Sequence, residues 1–244
     1  SVSSAFKAHN LGAYAQDMVQ VAPQWKVLGG LRYDSMKGAF DNIAVGGAVS
    51  SSYQQTISDW SQRLGVLYQP SDSASFHFSY GTSFNTSADT YSYSALSANT
   101  PPEQSRNFEI GAKLDSADHR LSTRLALFHS TKYNERNTDP DSAATAFLLS
   151  GQRHTAGLEI DATGRLTQKW EVYGSYMWMP IAMIDKAAPT ATPGERQGER
   201  PSLTPKHSGT VWSTYQFTPE LRLGAGVNFR SEQAPNRNPG WLAP

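Results

Sequence analysis

The six histidines are the side chains that acid–base or metal chemistry would draw on first in this sequence. They fall on separate segments and no pair has metal-ligand spacing, so we predict no metal site. A hydrolase using His77 or His154 stays open as an alternative, which replacement of either residue by Ala would test. The six are His9, His77, His119, His129, His154 and His207.

The glycines and serines give no motif for nucleotide binding or nucleophilic catalysis. Gly224-Ala225-Gly226 lacks the third glycine and the following helix of a dinucleotide-binding loop, and the chain has no Gly-x-Ser-x-Gly. We therefore predict no catalytic residues and no cofactor. Small residues packed on a β-sheet account better for the glycine pair.

Composition excludes several further classes of protein. The chain has 244 residues, 21 basic and 21 acidic side chains, and no cysteine. Without cysteine there is no disulfide scaffold, zinc–thiolate site or cysteine nucleophile. The zero net charge argues against a nucleic-acid partner, and no apolar run reaches the roughly 18 residues of a transmembrane helix.

Strict alternation of apolar and polar residues is the main structural signal. Phe76 to Phe84 and Leu221 to Arg230 each separate an apolar set from a polar one, whereas a helix would distribute the charges around its axis. The pattern predicts about ten strands, near 11–20, 25–35, 55–69, 74–84, 105–116, 120–132, 146–165, 169–182, 207–217 and 220–231.

The connections between these segments alternate in length. Short turns lie near residues 22–24, 70–73, 116–119, 167–168 and 218–219, and long polar links cover 36–54, 85–104, 133–145 and 184–206. Alternating short and long connections indicate an antiparallel, up-and-down series of hairpins.

Aromatic spacing favours a membrane barrel over a soluble sandwich or barrel. Trp25 and Tyr33, and likewise Trp170 and Trp178, stand eight residues apart on the apolar face. At ~3.3 Å per residue and ~40° of tilt this interval spans about 20 Å, close to the ~25 Å apolar band between aromatic girdles. The sequence therefore predicts an all-β, antiparallel up-and-down transmembrane β-barrel.

Three motifs follow one another along the chain. Segment 101–113 is similar to the pattern PE.S.N.EIG.K, and 151–170 to G..R..G.E.E..G.LT..W. The segment from Pro205 to Gln216 follows as P.H....W..Y. In this order they resemble the signatures of TonB-dependent outer-membrane siderophore receptors, in the ferrichrome- or catecholate-like branch, and the resemblance extends from about residue 10 to about residue 240.

The resemblance implies that residues 1–244 are part of a receptor barrel of about 22 strands, without the plug domain and the last strands. Its function would be active transport of ferric siderophores across the bacterial outer membrane. The partners would be the siderophore, outer-membrane lipid, and the inner-membrane TonB complex through a missing N-terminal region. A passive pore or adhesin barrel is the main alternative, and an outer-membrane hydrolase a weaker one.

The long links and the polar face supply the candidate site residues. Aromatic faces and arginines suit a bulky anionic chelate. We expect the ligand-binding residues in the loops to be Tyr91, Tyr93, Arg136, Arg196 and Arg200. We expect three further cations to face the lumen and the plug, namely Arg124, Lys132 and Arg222.

Overall fold

The structure is a computed structural model that describes residues 3–85, 101–138, 147–187 and 196–234. Those residues form ten β-strands. The strands are β1 (Ser3–Ala22), β2 (Trp25–Ile43), β3 (Val49–Ser71), β4 (Ala74–Asn85), β5 (Glu103–Asp115), β6 (Leu121–Thr138), β7 (Phe147–Arg165), β8 (Trp170–Lys186), β9 (His207–Gln216) and β10 (Arg222–Arg230).

All ten strands form one sheet whose spatial order is the chain order, β1 through β10. Every neighbouring pair is antiparallel, which confirms the predicted all-β, up-and-down arrangement. We call the end with the connections 23–24, 72–73, 116–120, 166–169 and 217–221 the turn end, and the opposite end the loop end. No helix in the described ranges is long and apolar enough to cross a bilayer.

The alternation gives the sheet two chemically different faces. The apolar face carries aromatic rows such as Trp25, Tyr68 and Phe76, whose ring centroids are 4.5 and 6.2 Å apart. Ile110 on this face is 61% exposed and Leu127 is 59% exposed, although they lie side by side in the middle of the sheet. So much exposed apolar surface indicates a hydrophobic environment outside the chain.

The opposite side, the polar face, carries the charged and hydroxyl side chains of the same strands. Lys113, Glu109 and Asn107 alternate along β5 with the apolar Ala112, Ile110 and Phe108. An apolar cluster lies on the polar face near the loop end of β2 and β3, where three side chains are at least nine-tenths buried. These are Met36, Phe40 and Ile57.

The predicted link over residues 36–54 is wrong. β2 continues to Ile43 and β3 begins at Val49, with a connection of only residues 44–48. Gly46 and Gly47 turn the chain there with φ angles of 109° and 87°, which glycine adopts without steric cost. The two strands remain paired along this extension, from Met36 opposite Ile57 to Asn42 opposite Ser51.

Candidate ligand-binding site on the polar face

A row of polar side chains crosses four strands near the loop end. Register pairs Ser83 with Ser105, Ser105 with Lys132, and Lys132 with Arg153. Because directly opposed residues of antiparallel strands point to the same face, all four side chains belong to the polar face. The hydroxyl groups of Ser83 and Ser105 are hydrogen-bonded at 2.6 Å.

A β-bulge in β6 adds a carboxylate to this row. Pairing slips between Lys132 and Glu135, and Asn134 inside the bulge has a φ of 52°. The slip brings Glu135 opposite Gly151 on the face that carries Arg153. Gly151 is required at this point, since a Cβ there would lie 2.9 Å from the main-chain oxygen of Glu135. Bulges commonly redirect side chains in this way.

The two cations of the row are paired with carboxylates. Lys132 Nζ lies 3.3 Å from Glu103 and 3.4 Å from Glu135, and Arg153 Nε donates to Glu135. The Glu135 side chain is only 12% exposed, whereas the Lys132 side chain is 43% exposed. The Lys132 side chain is therefore reachable from solvent while its carboxylate partners hold its ammonium group in place.

Around this row lies a cavity of about 410 Å³, a size suited to a small ligand. Its lining combines the charged row with hydroxyl groups, including Ser130 and Thr155, which face each other across β6 and β7. An exposed ammonium group beside several hydroxyls can bind an anionic, oxygen-rich ligand through charge-assisted hydrogen bonds. We call Lys132, Arg153, Glu135, Glu103 and their serine neighbours the loop-end site.

Arg200, expected to bind ligand, instead ties its loop to the sheet. Its guanidinium donates to the main-chain oxygens of Thr204 (2.8 Å), Pro205 (3.2 Å), Met179 (2.7 Å) and Pro180 (3.3 Å). Partial burial lowers the pKa of Arg200 from its ordinary value. With its donors engaged in this way, Arg200 is better explained as a structural residue than as a ligand contact.

The structure describes the other four predicted ligand-binding residues only in part. Tyr91 and Tyr93 lie outside the described residues, and Arg136 lies in β6 with its side chain outside the described part. Arg196 begins the segment that leads to Arg200, where its N–H donates to the Glu199 carboxylate at 3.3 Å.

The three cations expected to face the lumen all lie on the polar face. Arg124 stands between Lys113 and Asp161 in the register, and Lys132 belongs to the loop-end site. Arg222 lies at the turn end, where it contacts Glu171 at 3.3 Å. Contacts of these cations with a plug remain a prediction.

A second cavity of about 760 Å³ lies on the polar face at the turn end. Tyr173 and Trp212, directly opposed across β8 and β9, supply its aromatic lining. Arg222 and Arg165 both contact the Glu171 carboxylate beside them. The pairing spans β7 to β10 and braces this end of the sheet.

The histidines of the hydrolase alternative form carboxylate pairs. His77 Nε2 lies 2.6 Å from Glu109 on the polar face, and His154 Nδ1 lies 2.8 Å from Asp185 on the apolar face. Across the described ranges neither ring is hydrogen-bonded to a serine hydroxyl that could act as a nucleophile. The same ranges contain no group of three or more His, Asp or Glu side chains arranged for a metal ion.

Sequence reasoning placed Lys132 on the lumen-facing side, as a plug contact rather than a chelate ligand, and did not name its neighbours Arg153, Glu103 and Glu135. Arg153 could have been found by alternation along β7. It lies an odd number of residues from the apolar Leu158 and therefore on the polar face. Glu135 could not, since only the bulge brings it into the row. Nothing in the sequence marks a bulge at this position.

A long-stranded antiparallel sheet with one exposed apolar face and one charged face is the wall of a transmembrane β-barrel. The family model described as "TonB dependent receptor-like, beta-barrel" matches residues 1–242. The chain therefore belongs to the TonB-dependent receptor β-barrel family, whose members lie in the outer membrane.

Individual relatives agree with this assignment. The "Probable TonB-dependent receptor BfrD" of Bordetella pertussis is 32% identical over 239 residues, which are 95% of this chain and 31% of the relative. The "Probable TonB-dependent siderophore receptor PiuA" of Acinetobacter baumannii is 26% identical over 228 residues, covering 88% of this chain and 30% of the relative.

The fold also matches that of a solved receptor. The crystal structure of the siderophore receptor PiuA from Acinetobacter baumannii superposes with a TM-score of 0.80 at 24% identity, covering 93% of this chain and 34% of that one. The chain thus spans about a third of the length of the proteins it matches.

Proposed function

We propose that the complete protein is an outer-membrane receptor for active transport of ferric siderophores, energised by the inner-membrane TonB complex. The family assignment and the siderophore receptor among the relatives support this function. The observation that carries the ligand class is the loop-end site, in which the Lys132 side chain is 43% exposed. In outer-membrane barrels short turns face the periplasm and longer loops face the outside, so an oxygen-rich anion entering from outside would meet the loop end of the wall first.

In this proposal the chain supplies a ten-stranded section of the barrel wall. The apolar face contacts lipid, and the polar face lines the lumen through which the chelate passes. The ferric siderophore is the cargo, and we assign the barrel no cofactor, catalytic step or nucleic-acid partner. Contact with TonB belongs to a part of the protein outside these residues.

The loop-end site would hold the chelate by charge and hydrogen bonding together. Lys132 and Arg153 point toward the same cavity as the hydroxyls of Ser105 and Ser130. Their pairing with Glu103 and Glu135 keeps the site neutral when empty. We propose that Tyr91, Tyr93 and Arg196 add contacts from the loops, and Arg136 from the end of β6.

Uptake of a radioactive ferric catecholate by a receptor-deletion strain carrying the complete gene would test this function. Lys132→Gln and Arg153→Gln should each raise the KM about tenfold, which corresponds to ~1.4 kcal/mol. Lys113→Gln is the matched control, because this cation lies on the same face at the turn end, beside Asp115. An unchanged KM in both loop-end variants would refute the assigned site.

A second arm separates active transport from a passive pore or adhesin. Uptake should cease in a strain that lacks TonB, while the receptor remains in the outer membrane. Continued uptake at the wild-type rate without TonB would remove the receptor function and favour the pore.

A further inference from the structure

A row of polar-face residues crosses five strands at the turn end. Each of these residues is paired with the next, and the row consists of Ser122, Thr163, Tyr173, Trp212 and Gly226. Directly opposed residues of antiparallel strands point to the same face, so two hydroxyls and two aromatic rings lie side by side. The four side chains line the turn-end cavity of about 760 Å³.

Tyr173 and Trp212 form an exposed aromatic surface within this row. Trp212 is 50% exposed and Tyr173 is 42% exposed, although both lie on the polar face. The indole ring lies over Gly224 and Gly226, which leave room for it on β10. Because aromatic rings attract one another in stacked and edge-on arrangements, this surface suits a ligand that carries aromatic rings.

The charged side chains around the aromatic surface have an excess of positive charge. Three arginines and two carboxylates line the cavity. Arg165 lies 3.0 Å and Arg222 3.3 Å from the Glu171 carboxylate, so two cations share one anion. The Arg165 side chain is 65% exposed and is reachable from solvent. We define the turn-end site as Ser122, Thr163, Arg165, Glu171, Tyr173, Trp212 and Arg222.

The turn-end site and the loop-end site lie at opposite ends of the same face. On β7, Thr163 belongs to the first and Arg153 to the second, ten residues apart. At ~3.3 Å per residue and ~40° of tilt, the two sites are about 25 Å apart along the barrel axis, close to the height of the apolar band. Short turns of outer-membrane barrels face the periplasm, so the turn-end site lies at the periplasmic end of the lumen.

We propose that the turn-end site is a second, exit-side binding site for cargo, selective for chelates whose aromatic rings carry anionic oxygens, such as ferric catecholates. The rings would stack on Trp212 and Tyr173, and the oxygens would accept hydrogen bonds from Arg165 and from the hydroxyls of Ser122 and Thr163. Several sites of moderate affinity let a ligand pass through a channel without being held at any one of them. This inference rests on the proposed function and adds to it the last contact before release.

The test follows a radioactive ferric catecholate that carries an aryl azide, supplied to a receptor-deletion strain with the complete gene restored. Illumination during uptake cross-links the chelate to nearby residues, and mass spectrometry of the digested receptor locates them. We expect labels near Tyr173 and Trp212 in cells with TonB, and labels near Lys132 alone in cells without it.

The labelling pattern separates failure of this site from failure of the proposed function. Uptake with labelling near Lys132 and none at the turn end would overturn the exit-side site and leave the receptor function standing. Absence of both uptake and labelling would refute the receptor function, and the exit-side site with it.

Transport kinetics of variants provide a second readout. Trp212→Ala and Arg165→Gln should each lower the maximal uptake rate about fivefold, while the Kd for the chelate on cells lacking TonB stays within about twofold of the wild-type value. Tyr14→Ala and Lys26→Gln are the controls, because both residues lie on the polar face outside this cavity. Trp212→Phe keeps a ring and should retain most of the rate.

Heat-modified gel migration would verify that each variant is folded. Unchanged uptake rates in folded Trp212→Ala and Arg165→Gln would overturn the proposal. Slower uptake without turn-end labelling would also overturn it, because these residues would then act by packing against the rest of the receptor rather than by contact with cargo.

Discussion

The indole ring of Trp212 lies against the backbone of Gly226 on the neighbouring strand. A Cβ on Gly226 would meet Cε3 of the indole at 2.5 Å, and one on Gly224 would meet Cζ2 at 2.9 Å. The ring therefore lies flat on the polar face, over a strip of β10 that has no side chains. This contact explains why two glycines alternate in β10 where the other polar-face positions carry Arg222, Asn228 and Arg230.

Gly226→Ala should destabilise the complete receptor by about 1–3 kcal/mol, because the added methyl group displaces the ring or bends the strand. Urea unfolding in detergent micelles would measure the change. Gly29→Ala is the matched control, since a Cβ there has no atom within 4 Å. The double variant Gly226→Ala/Trp212→Ala should recover part of the loss, and no recovery would count against a steric origin.

Arg200→Ala should loosen the segment 196–206 from the β8 main chain. Loss of the bonds to Met179 and Thr204 should lower local stability by about 1–3 kcal/mol. Hydrogen exchange of the main-chain amides in this segment would report it. Lys206→Ala is the control, because Lys206 is held through its own main chain: its carbonyl oxygen accepts from Met179 N–H and its N–H donates to the Ser231 hydroxyl. Equal exchange in both variants would refute the role of Arg200.

Spin labels should separate the two faces of the sheet residue by residue. The natural chain segment has no cysteine, so single cysteines can be introduced for labelling. Labels at Phe78, Ile110 and Val227 should be relaxed by oxygen dissolved in lipid, and labels at Ser79 and Asn228 by a water-soluble nickel complex. Water accessibility at the first three positions would contradict the lipid-facing assignment.

His77→Ala should leave chelate uptake and any background ester hydrolysis of the purified receptor unchanged. His77 pairs with Glu109 above Gly111, where a Cβ would approach the ring, and this geometry is that of a packed lumenal pair. Ester hydrolysis that disappears in the variant, with folding intact, would revive the hydrolase alternative.

The membrane-spanning parts of the strands could be predicted because lipid on one side and water on the other impose a period of two. Beyond the bilayer that constraint ends, and the pattern fades over the loop-end half of β2 and the start of β3. Lys37 and Asp41 stand there on the same face as Tyr33. The prediction consequently placed a link where the strands continue. The glycine pair Gly46-Gly47 was the signal for the turn that actually connects them.

Members of the candidate site could be predicted only where alternation along a strand determines which face a side chain lies on. Lys132 follows from alternation along β6, and Arg153 would have followed from the same argument. Arg200 shows the limit of judging by residue type alone, because carbonyl oxygens of its own loop satisfy a guanidinium as well as a ligand does. Which main-chain carbonyl oxygens lie within reach of a loop side chain depends on the folded loop. The sequence alone does not predict those positions.

Since neighbouring strands of the described sheet are also neighbours in the chain, the hairpin is the unit in which this wall is built. Recombination could insert or remove two strands and their turn. After removal of a hairpin, only the two strands that flanked it would need to form a new pair. Pairing between consecutive segments also keeps every strand contact local in the chain, which lowers the loop-closure cost of forming the ladder. Pore diameter in such a family is therefore open to evolutionary change in steps of one hairpin.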